Sequence, residues 1–173
     1  LKFVENAVDL FPTVKNGNPG EFGTRLSTAP TNAEMVVKEA MKAVWWIKRD
    51  FRIYDNHCLW DACKKGNLVI PFFCWEKSVL NEGDYSSFHL QAQWEALLGL
   101  TTNLQNRGVA TRVVIGEIVE QLELLFSKMP FDQLYSHQET GNLLTFKRDR
   151  AVQRWCDKVG VDWIEKNPSS VIR

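Results

Sequence analysis

Short apolar blocks alternate along this chain with longer segments that are apolar on one face only. The blocks Ala43–Ile47 and Leu68–Phe73 are rich in β-branched and aromatic residues and apolar on both faces, as expected of central strands covered by helices. Three further strands are predicted: Val109–Ile115, a short strand within Phe131–His137, and Val161–Glu165.

The segments between these blocks have the apolar spacing and the end signals of helices. Four helices are predicted. The first follows Asp55 or Asn56 as its N-cap. The other three run from Ser86 or Ser87 to Asn106–Gly108, from Gly116–Glu117 to Met129, and from Leu143 to Lys158. The second of the four has the predicted inward positions Leu90, Trp94, Leu97, Leu98 and Leu104. Strands that alternate with helices predict an α/β fold: a doubly wound, mainly parallel five-stranded sheet with helices on both faces, Rossmann-like in shape.

The first 42 residues do not follow this alternation. Turn-forming compositions occupy 16–20 and 27–31, and Thr31–Glu34 has the form of a capping box that starts a short helix ending near Lys42. We therefore divide the chain into an N-terminal arm with a short helix (1–42) and an α/β domain (43–173). The first residue is not Met, so we expect a fragment or a trimmed start.

Charge and cysteine content narrow the function classes. Twenty-one basic residues balance twenty-one acidic ones, so no overall field attracts nucleic acid, and no apolar run reaches the length of a membrane helix. Cys58, Cys63 and Cys74 fall in or beside apolar segments and are predicted to be small buried hydrophobes. No two cysteines form a Cys-x-x-Cys pair, and no histidine pair at ligand spacing accompanies them, so we predict no metal site and a reducing, cytoplasmic compartment.

Familiar catalytic and phosphate-binding motifs do not occur in the sequence. There is no Gly-x-Gly-x-x-Gly after the first strand, no phosphate loop ending in Gly-Lys-Ser/Thr, and no Gly-x-Ser-x-Gly elbow. The absence of these motifs disfavours three functions: classical dinucleotide binding, triphosphate binding and hydrolase chemistry. We assign no catalytic residue.

The loop after the first strand has the most unusual content. Lys48–Asp55 holds three cations and two carboxylates in eight residues. One interpretation is structural, because an Arg–carboxylate pair fixes a loop and Asp55 or Asn56 caps the next helix. The other is functional, because ligands of open parallel sheets lie outside the carboxyl ends of the strands.

This loop also carries a resemblance. Trp46–Asn56 resembles the opening signature of the photolyase/cryptochrome family, which reads Trp-Phe-Arg-x-Asp-Leu-Arg-x-x-Asp-Asn. Val69–Glu76 is similar to the family's next strand, which usually ends in Leu-Asp where this chain has Trp-Glu. Phe146–Asp149 is similar to the Arg-Asp dipeptide of a later sheet helix, and Ser169–Arg173 resembles the start of the interdomain segment. The likeness covers residues 43–173.

The resemblance implies the α/β domain of a longer flavoprotein. Family members hold FAD in a C-terminal helical domain that lies outside this sequence, and they use it for light-driven repair of pyrimidine dimers in DNA or for blue-light signalling. Partners implied in the same way are that FAD-binding domain and, through the full-length protein, damaged DNA, with no membrane. We expect the 173 residues alone neither to bind FAD nor to repair DNA.

The α/β domains of the family often bind a folate or deazaflavin antenna chromophore. By analogy, the antenna cleft of this chain is formed by Lys48, Asp50, Arg52, Trp75, Glu76 and Glu139. Two departures stand out: Leu144-Thr145 replaces the Asn-Glu pair of many folate-binding members, and Glu139 is out of register with the acidic residues of deazaflavin-type members. Two alternatives remain open, a nucleotide-binding regulatory domain of the same fold and a structural interaction module whose cleft is filled by side chains.

Overall fold

A computed structural model of the chain describes residues 41–64, 68–82, 86–139 and 141–167. Its strands are β1 (Lys42–Ile47), β2 (Leu68–Glu76), β3 (Arg112–Gly116), β4 (Gln133–His137) and β5 (Asp162–Lys166). Its helices are α1 (His57–Lys64), α2 (Lys77–Leu80), α3 (Ser87–Gln105), α4 (Ile118–Lys128) and α5 (Leu143–Val159).

The five strands form a parallel sheet in the order β3-β2-β1-β4-β5. From β1 the chain moves outward through β2 and β3, and then crosses back to add β4 and β5 on the other side of β1. The prediction of a doubly wound sheet with the first strand at its centre is confirmed, and every pairing is parallel. The direction of winding reverses between β1 and β4, and ligands of such sheets lie outside the strand ends at this switch point.

Alternate residues of the central strand enter two separate cores. Ala43, Trp45 and Ile47 pack beneath α1 and α3, together with Phe73 and Trp75 from β2. On the opposite face, side chains of β1, β2 and β4 pack against α4 and α5; the buried strand residues of this core are Val44, Trp46, Phe72, Cys74 and Leu134. Because both faces of β1 are covered by helices, its sequence is apolar throughout.

Side-chain caps and one glycine fix the ends of the longer helices. Asn56 Oδ1 accepts from the Leu59 amide at 3.0 Å, and Asn142 Oδ1 accepts from the Thr145 amide at 3.1 Å. Gly160 ends α5 with a φ of 78°, a left-handed conformation that glycine adopts without strain. None of the described helices combines the length and apolar character that a bilayer crossing requires.

Several predicted boundaries are wrong at the sheet edges. The predicted third strand starts three residues early, because the Val109 amide donates back to the Leu104 carbonyl at 3.0 Å and belongs to the turn that ends α3. The second strand does not stop at Phe73 but runs on to Glu76, which pairs with Gly116 of β3. Helix α2 follows at once and was not predicted.

Two side chains predicted to be buried, Leu98 and Cys63, are exposed, and so is the indole of Trp60. Leu98 is 48% exposed, since the buried face of α3 is formed by Leu97, Leu100 and Leu104. Trp60 is 59% exposed because α1 buries Cys58 and Ala62 on its other side. Cys63 is likewise exposed, whereas the other three cysteines are buried.

Some predictions fall on residues that lie outside the described ranges. They are the N-terminal arm up to residue 40, nearly all of the predicted helix from Thr31, and the segment Ser169–Arg173. Lys42 is described, and it is the first residue of β1 rather than the end of a helix.

Candidate functional site at the carboxyl ends of the strands

Charged side chains from four parts of the chain converge where β1, β2 and β4 end. Lys48 directly follows β1, Glu76 is the last residue of β2, and Glu139 lies two residues beyond β4. Arg148 reaches the same place from the inward face of α5. The parallel arrangement of the sheet brings these positions to one edge, although they are distant in sequence.

The guanidinium of Arg148 is the centre of this cluster. It donates to Glu76 Oε1 and Asp149 Oδ1 at 3.0 and 2.9 Å, and also to Glu139 Oε2. Its Cζ lies 5.1 Å from the centre of the Trp46 ring. Burial lowers the pKa of Arg148, but the facing carboxylates, Glu76 first, raise that pKa by more, so the group stays charged.

Lys48 is a second buried cation beside it. Its side chain is 3% exposed, and its Nζ lies 3.1 Å from Asp149 Oδ2 and 3.4 Å from Glu165 Oε1. The same ammonium stands 4.4 Å from the ring centre of Trp46 and 5.4 Å from that of Trp163. Lys48 is therefore held by two carboxylates and two aromatic faces, which fixes the exit of β1.

Glu139 is shared between Arg148 and a second arginine. Its Oε1 accepts from Arg49 Nη2 at 2.7 Å while Oε2 faces Arg148. Burial would raise the pKa of Glu139, yet Arg148, Arg49 and Lys48 together lower it. Glu139 is therefore ionised, and it forms part of the charged cluster at the strand ends.

Glu76 and Trp75 each have a buried polar atom without a hydrogen-bond partner in the described part of the chain. These atoms are Glu76 Oε2 and Trp75 Nε1, and the two residues are 7% and 1% exposed. Burial raises the pKa of Glu76 to about 7, against the opposing effect of Arg148. Both residues line a cavity of about 40 Å³ at the strand ends. Buried polar groups normally have partners, so an acceptor and a donor beside one cavity indicate a place for a polar ligand edge or water.

The cavity adjoins a larger cleft. Arg49, Val79 and Gln93 line both spaces, and the cleft has a volume of about 540 Å³. Its other described walls come from the β1 loop, the start of α3 and the start of α5: Phe51, Glu82, His89, Gly141, Asn142, Leu144 and Thr145. This volume lies within the range of about 300–1,000 Å³ that small-molecule sites occupy.

Comparison with known proteins identifies the family. The family profile described as DNA photolyase matches residues 43–173, which is most of the chain. The chain belongs to the DNA photolyase family. The prediction drawn from the strand-end signature is therefore confirmed, and the fold agrees with it.

Two curated relatives from Arabidopsis thaliana match this photolyase-family domain. The blue-light photoreceptor PHR2 is 30% identical over 105 residues, which cover 58% of this chain and 24% of the relative. The chloroplastic/mitochondrial cryptochrome DASH is 22% identical over 117 residues, which cover 64% of this chain and 21% of the relative. The chain thus spans about a quarter of the length of these relatives.

Solved photolyases share the fold. An archaeal photolyase from Sulfolobus tokodaii superposes with a TM-score of 0.68 at 24% identity, over 77% of this chain and 32% of that one. It was described with two FAD molecules and the implication of a novel light-harvesting cofactor. A class III photolyase from Agrobacterium tumefaciens gives a TM-score of 0.67 at 19% identity, over 78% of this chain and 27% of its own. At these identities the likeness shows the fold.

The six predicted antenna residues separate into two groups in this photolyase-family domain. Lys48, Trp75, Glu76 and Glu139 line the cavity, whereas Asp50 and Arg52 line neither the cavity nor the cleft. Both groups lie near the carboxyl ends of the strands, but only the first group lines the cavity.

Asp50 and Arg52 fix the loop that carries Arg49. Arg52 Nε donates to Asp50 Oδ1 at 2.8 Å, and the Arg52 carbonyl accepts from Asn56 Nδ2 at 2.9 Å. Asp50 Oδ2 lies 3.5 Å from His137 Nδ1, an ion-pair distance without a hydrogen bond. Burial lowers the pKa of His137, and Asp50 opposes that effect. The structural interpretation of this part of the loop thus accounts for its contacts.

Arg148 belongs to the Arg-Asp dipeptide that carries part of the family resemblance, but it is not among the predicted site residues. It occupies the same helix face as Thr145, Val152 and Trp155, all of which are buried. A cation at an inward position of an amphipathic helix indicates a buried ion pair, so this spacing was the available signal.

Proposed function

We propose that the strand-end cleft of this domain holds a planar light-harvesting chromophore for FAD bound elsewhere in a longer protein. The observation that supports the proposal is the pair of unpartnered buried atoms, Glu76 Oε2 and Trp75 Nε1, beside a cavity that opens toward a cleft of about 540 Å³. A ligand that presents a donor to Glu76 Oε2 or an acceptor to Trp75 Nε1 would satisfy a buried atom. Folates, deazaflavins and flavins carry both kinds of group on a pyrimidine-type ring.

The remaining predicted residues would act as walls and supports. Lys48 and Glu139 are held by their ion pairs and would keep the cavity open and polar. Arg49 lines both spaces and would face an anionic substituent, on a loop held by Asp50 and Arg52. When bound, the chromophore would supply absorption in the near-ultraviolet or blue.

Titration of the 173-residue chain with a folate, a deazaflavin and FMN tests the proposal. We expect one of them to bind with a shifted absorption band and to raise the melting temperature. Trp75→Phe should weaken that binding by about tenfold, the effect of one lost hydrogen bond. Trp60→Phe is the matched control, since Trp60 is an exposed indole on another face.

The two alternatives give different results in the same assay. Stabilisation by ATP or AMP, with no response to the chromophores, would favour a nucleotide-binding regulatory domain. No ligand-dependent shift at all would favour an interaction module. Either result would overturn the antenna proposal.

We infer that the complete protein uses FAD in a further domain for light-driven repair of pyrimidine dimers, with blue-light signalling as the alternative. The apolar rim of the cleft supports docking of such a domain. Phe88 at the start of α3 and Leu143 at the start of α5 are 77% and 67% exposed and flank the cleft. Expression of the full-length protein, followed by a flavin spectrum and a dimer-repair assay under blue light, separates repair from signalling.

We also propose a reducing compartment, the cytoplasm or an organelle interior. All four cysteines are free thiols, and disulfides are rare where thiol reductants are abundant. A fluorescent fusion of the complete protein would report its location, and retention in the secretory pathway would contradict the proposal.

A further inference from the structure

Helix α5 presents a line of positive charge to solvent. We name Lys147, Arg150, Arg154 and Lys158 the cationic stripe; all four side chains are exposed. Their spacing of three, four and four residues keeps them within about 80° of the helix circumference and along about 16 Å of its axis. The stripe faces away from Thr145, Val152 and the other buried residues of the helix.

Within the described ranges, the cations of the stripe form no ion pairs. Among the described residues, none of its four members takes part in an ion pair, whereas the inward Arg148 of the same helix contacts three carboxylates. Arg150 lies 5.9 Å from the ring centre of Phe146, and Asp157, which flanks the stripe, accepts from Gln153 Nε2 at 2.8 Å. The chain as a whole is electrically neutral, so the stripe is a local concentration of charge.

The distribution of carboxylates explains this imbalance. Glu76, Glu139 and Asp149 face inward and neutralise the buried cations at the strand ends. Asp149 of α5 therefore points toward the buried cations, and Asp157 is the acidic residue of α5 that lies beside the stripe.

We propose that the cationic stripe docks on the phosphate backbone of duplex DNA. A rigid row of Lys and Arg suits phosphate, which guanidinium and ammonium groups bind strongly. A membrane-surface helix would need a broad apolar face along its cations, whereas α5 buries Val152, Trp155 and Cys156 in the core and exposes Leu143 and Phe146 in its first turn. An acidic peptide would need an adjoining apolar groove for specificity, and no described cavity is lined by the stripe. Along the stripe a duplex presents more phosphates than there are cations.

This surface is separate from the chromophore cleft, and the two proposals fail independently. Fluorescence anisotropy of the full 173-residue chain with a short labelled duplex, over a series of salt concentrations, tests it. Four phosphate contacts predict a slope of log K against log salt of about −3.6, since each contact contributes about −0.9.

Two matched variants locate the contact. The stripe variant combines Lys147→Gln, Arg150→Gln, Arg154→Gln and Lys158→Gln, and we expect a slope near zero and binding weaker by roughly a thousandfold at about 0.15 M salt. The control variant makes the same change of net charge on other faces by Lys64→Gln, Lys77→Gln, Arg112→Gln and Lys128→Gln, all exposed positions. The control should keep its affinity within about twofold.

A third variant keeps the charges and exchanges their carriers, K147R with R150K, R154K and K158R, and should bind as the unchanged chain does. Thermal melting confirms that each variant is folded. Equal losses in the stripe and control variants would overturn the proposal, because the effect would then be one of net charge. Tighter binding to polyglutamate or to anionic lipid vesicles than to the duplex would overturn it as well.

Discussion

Arg148 Nη1 donates to Glu76 Oε1 over 3.0 Å and so joins the end of β2 to α5, 72 residues further along the chain. The same guanidinium contacts Glu139 and Asp149, which also pair with Arg49 and Lys48, so three carboxylates at the strand ends share one central cation. The carboxyl edge of the sheet is therefore one electrostatic unit. If Arg148 alone is replaced by an uncharged residue, buried carboxylates lose a partner.

Replacement of Arg148 by methionine should be strongly destabilising. Loss of one partner of a buried ion pair typically costs about 3–5 kcal/mol, because the remaining charge has no compensation. Urea unfolding at neutral pH measures this change in the free energy of unfolding. Arg154→Met on the exposed face of the same helix is the control, with an expected change within about 0.5 kcal/mol. Equal changes in the two variants would contradict the central role of Arg148.

The stability contributed by Glu76 should fall as pH rises. Burial raises its pKa from the ordinary 4.5 to about 7, so the folded state resists ionisation that the unfolded state accepts. This contribution is fully present below about pH 4.5 and is lost as pH rises through about 7. Glu76→Gln does not titrate, and its stability relative to the unchanged chain should rise by about 3 kcal/mol between pH 4.5 and 8. A difference that is independent of pH would show that Glu76 titrates normally.

Gly141 and Gly99 should respond to alanine in opposite ways. A Cβ at Gly141 would overlap Thr145 Oγ1 and lie 3.0 Å from Thr145 Cβ, next to the hydrogen bonds that start α5. We expect Gly141→Ala to cost about 1–3 kcal/mol. Gly99 is inside α3 with nothing within 4 Å of a Cβ, so Gly99→Ala should gain up to about 1 kcal/mol. Thermal unfolding of the two variants provides the comparison, and the same sign in both would contradict it.

Only one of the four thiols should react quickly in the native chain. Burial raises the pKa of both Cys58 and Cys156 to about 12, and that of Cys74 further, whereas Cys63 is exposed. Titration with a thiol reagent should therefore show one fast group before unfolding and four after it. Cys63→Ser should remove the fast phase. If it persists, another cysteine is accessible in the native state.

The centre of the sheet could be predicted from the sequence because burial on both faces leaves a local pattern. Ala43–Ile47 is apolar throughout, and that feature alone indicates a strand covered by helices. Asn56 was a predicted cap and is one, since a cap depends on residues close in sequence. The signature at Trp46–Asn56 combines both kinds of local information, so it also identified the family.

Features that depend on distant partners could not be predicted. Whether Glu76 belongs to a strand or a loop is decided by its pairing with Gly116 in β3. The roles of Asp50 and Arg148 depend on side chains that come from other strands and helices. Leu98 was misplaced because an apolar residue at the margin of a helix face can lie on either side of the packing surface.

The late position of Arg148 constrains how this domain forms during synthesis. Glu76 leaves the ribosome long before α5, so a nascent chain that ends before α5 would bury an uncompensated carboxylate if it closed the sheet edge. We therefore expect the carboxyl ends of the first three strands to stay hydrated until Arg148 is available. Translation pauses placed before α5 would prolong a state exposed to chaperones and proteases.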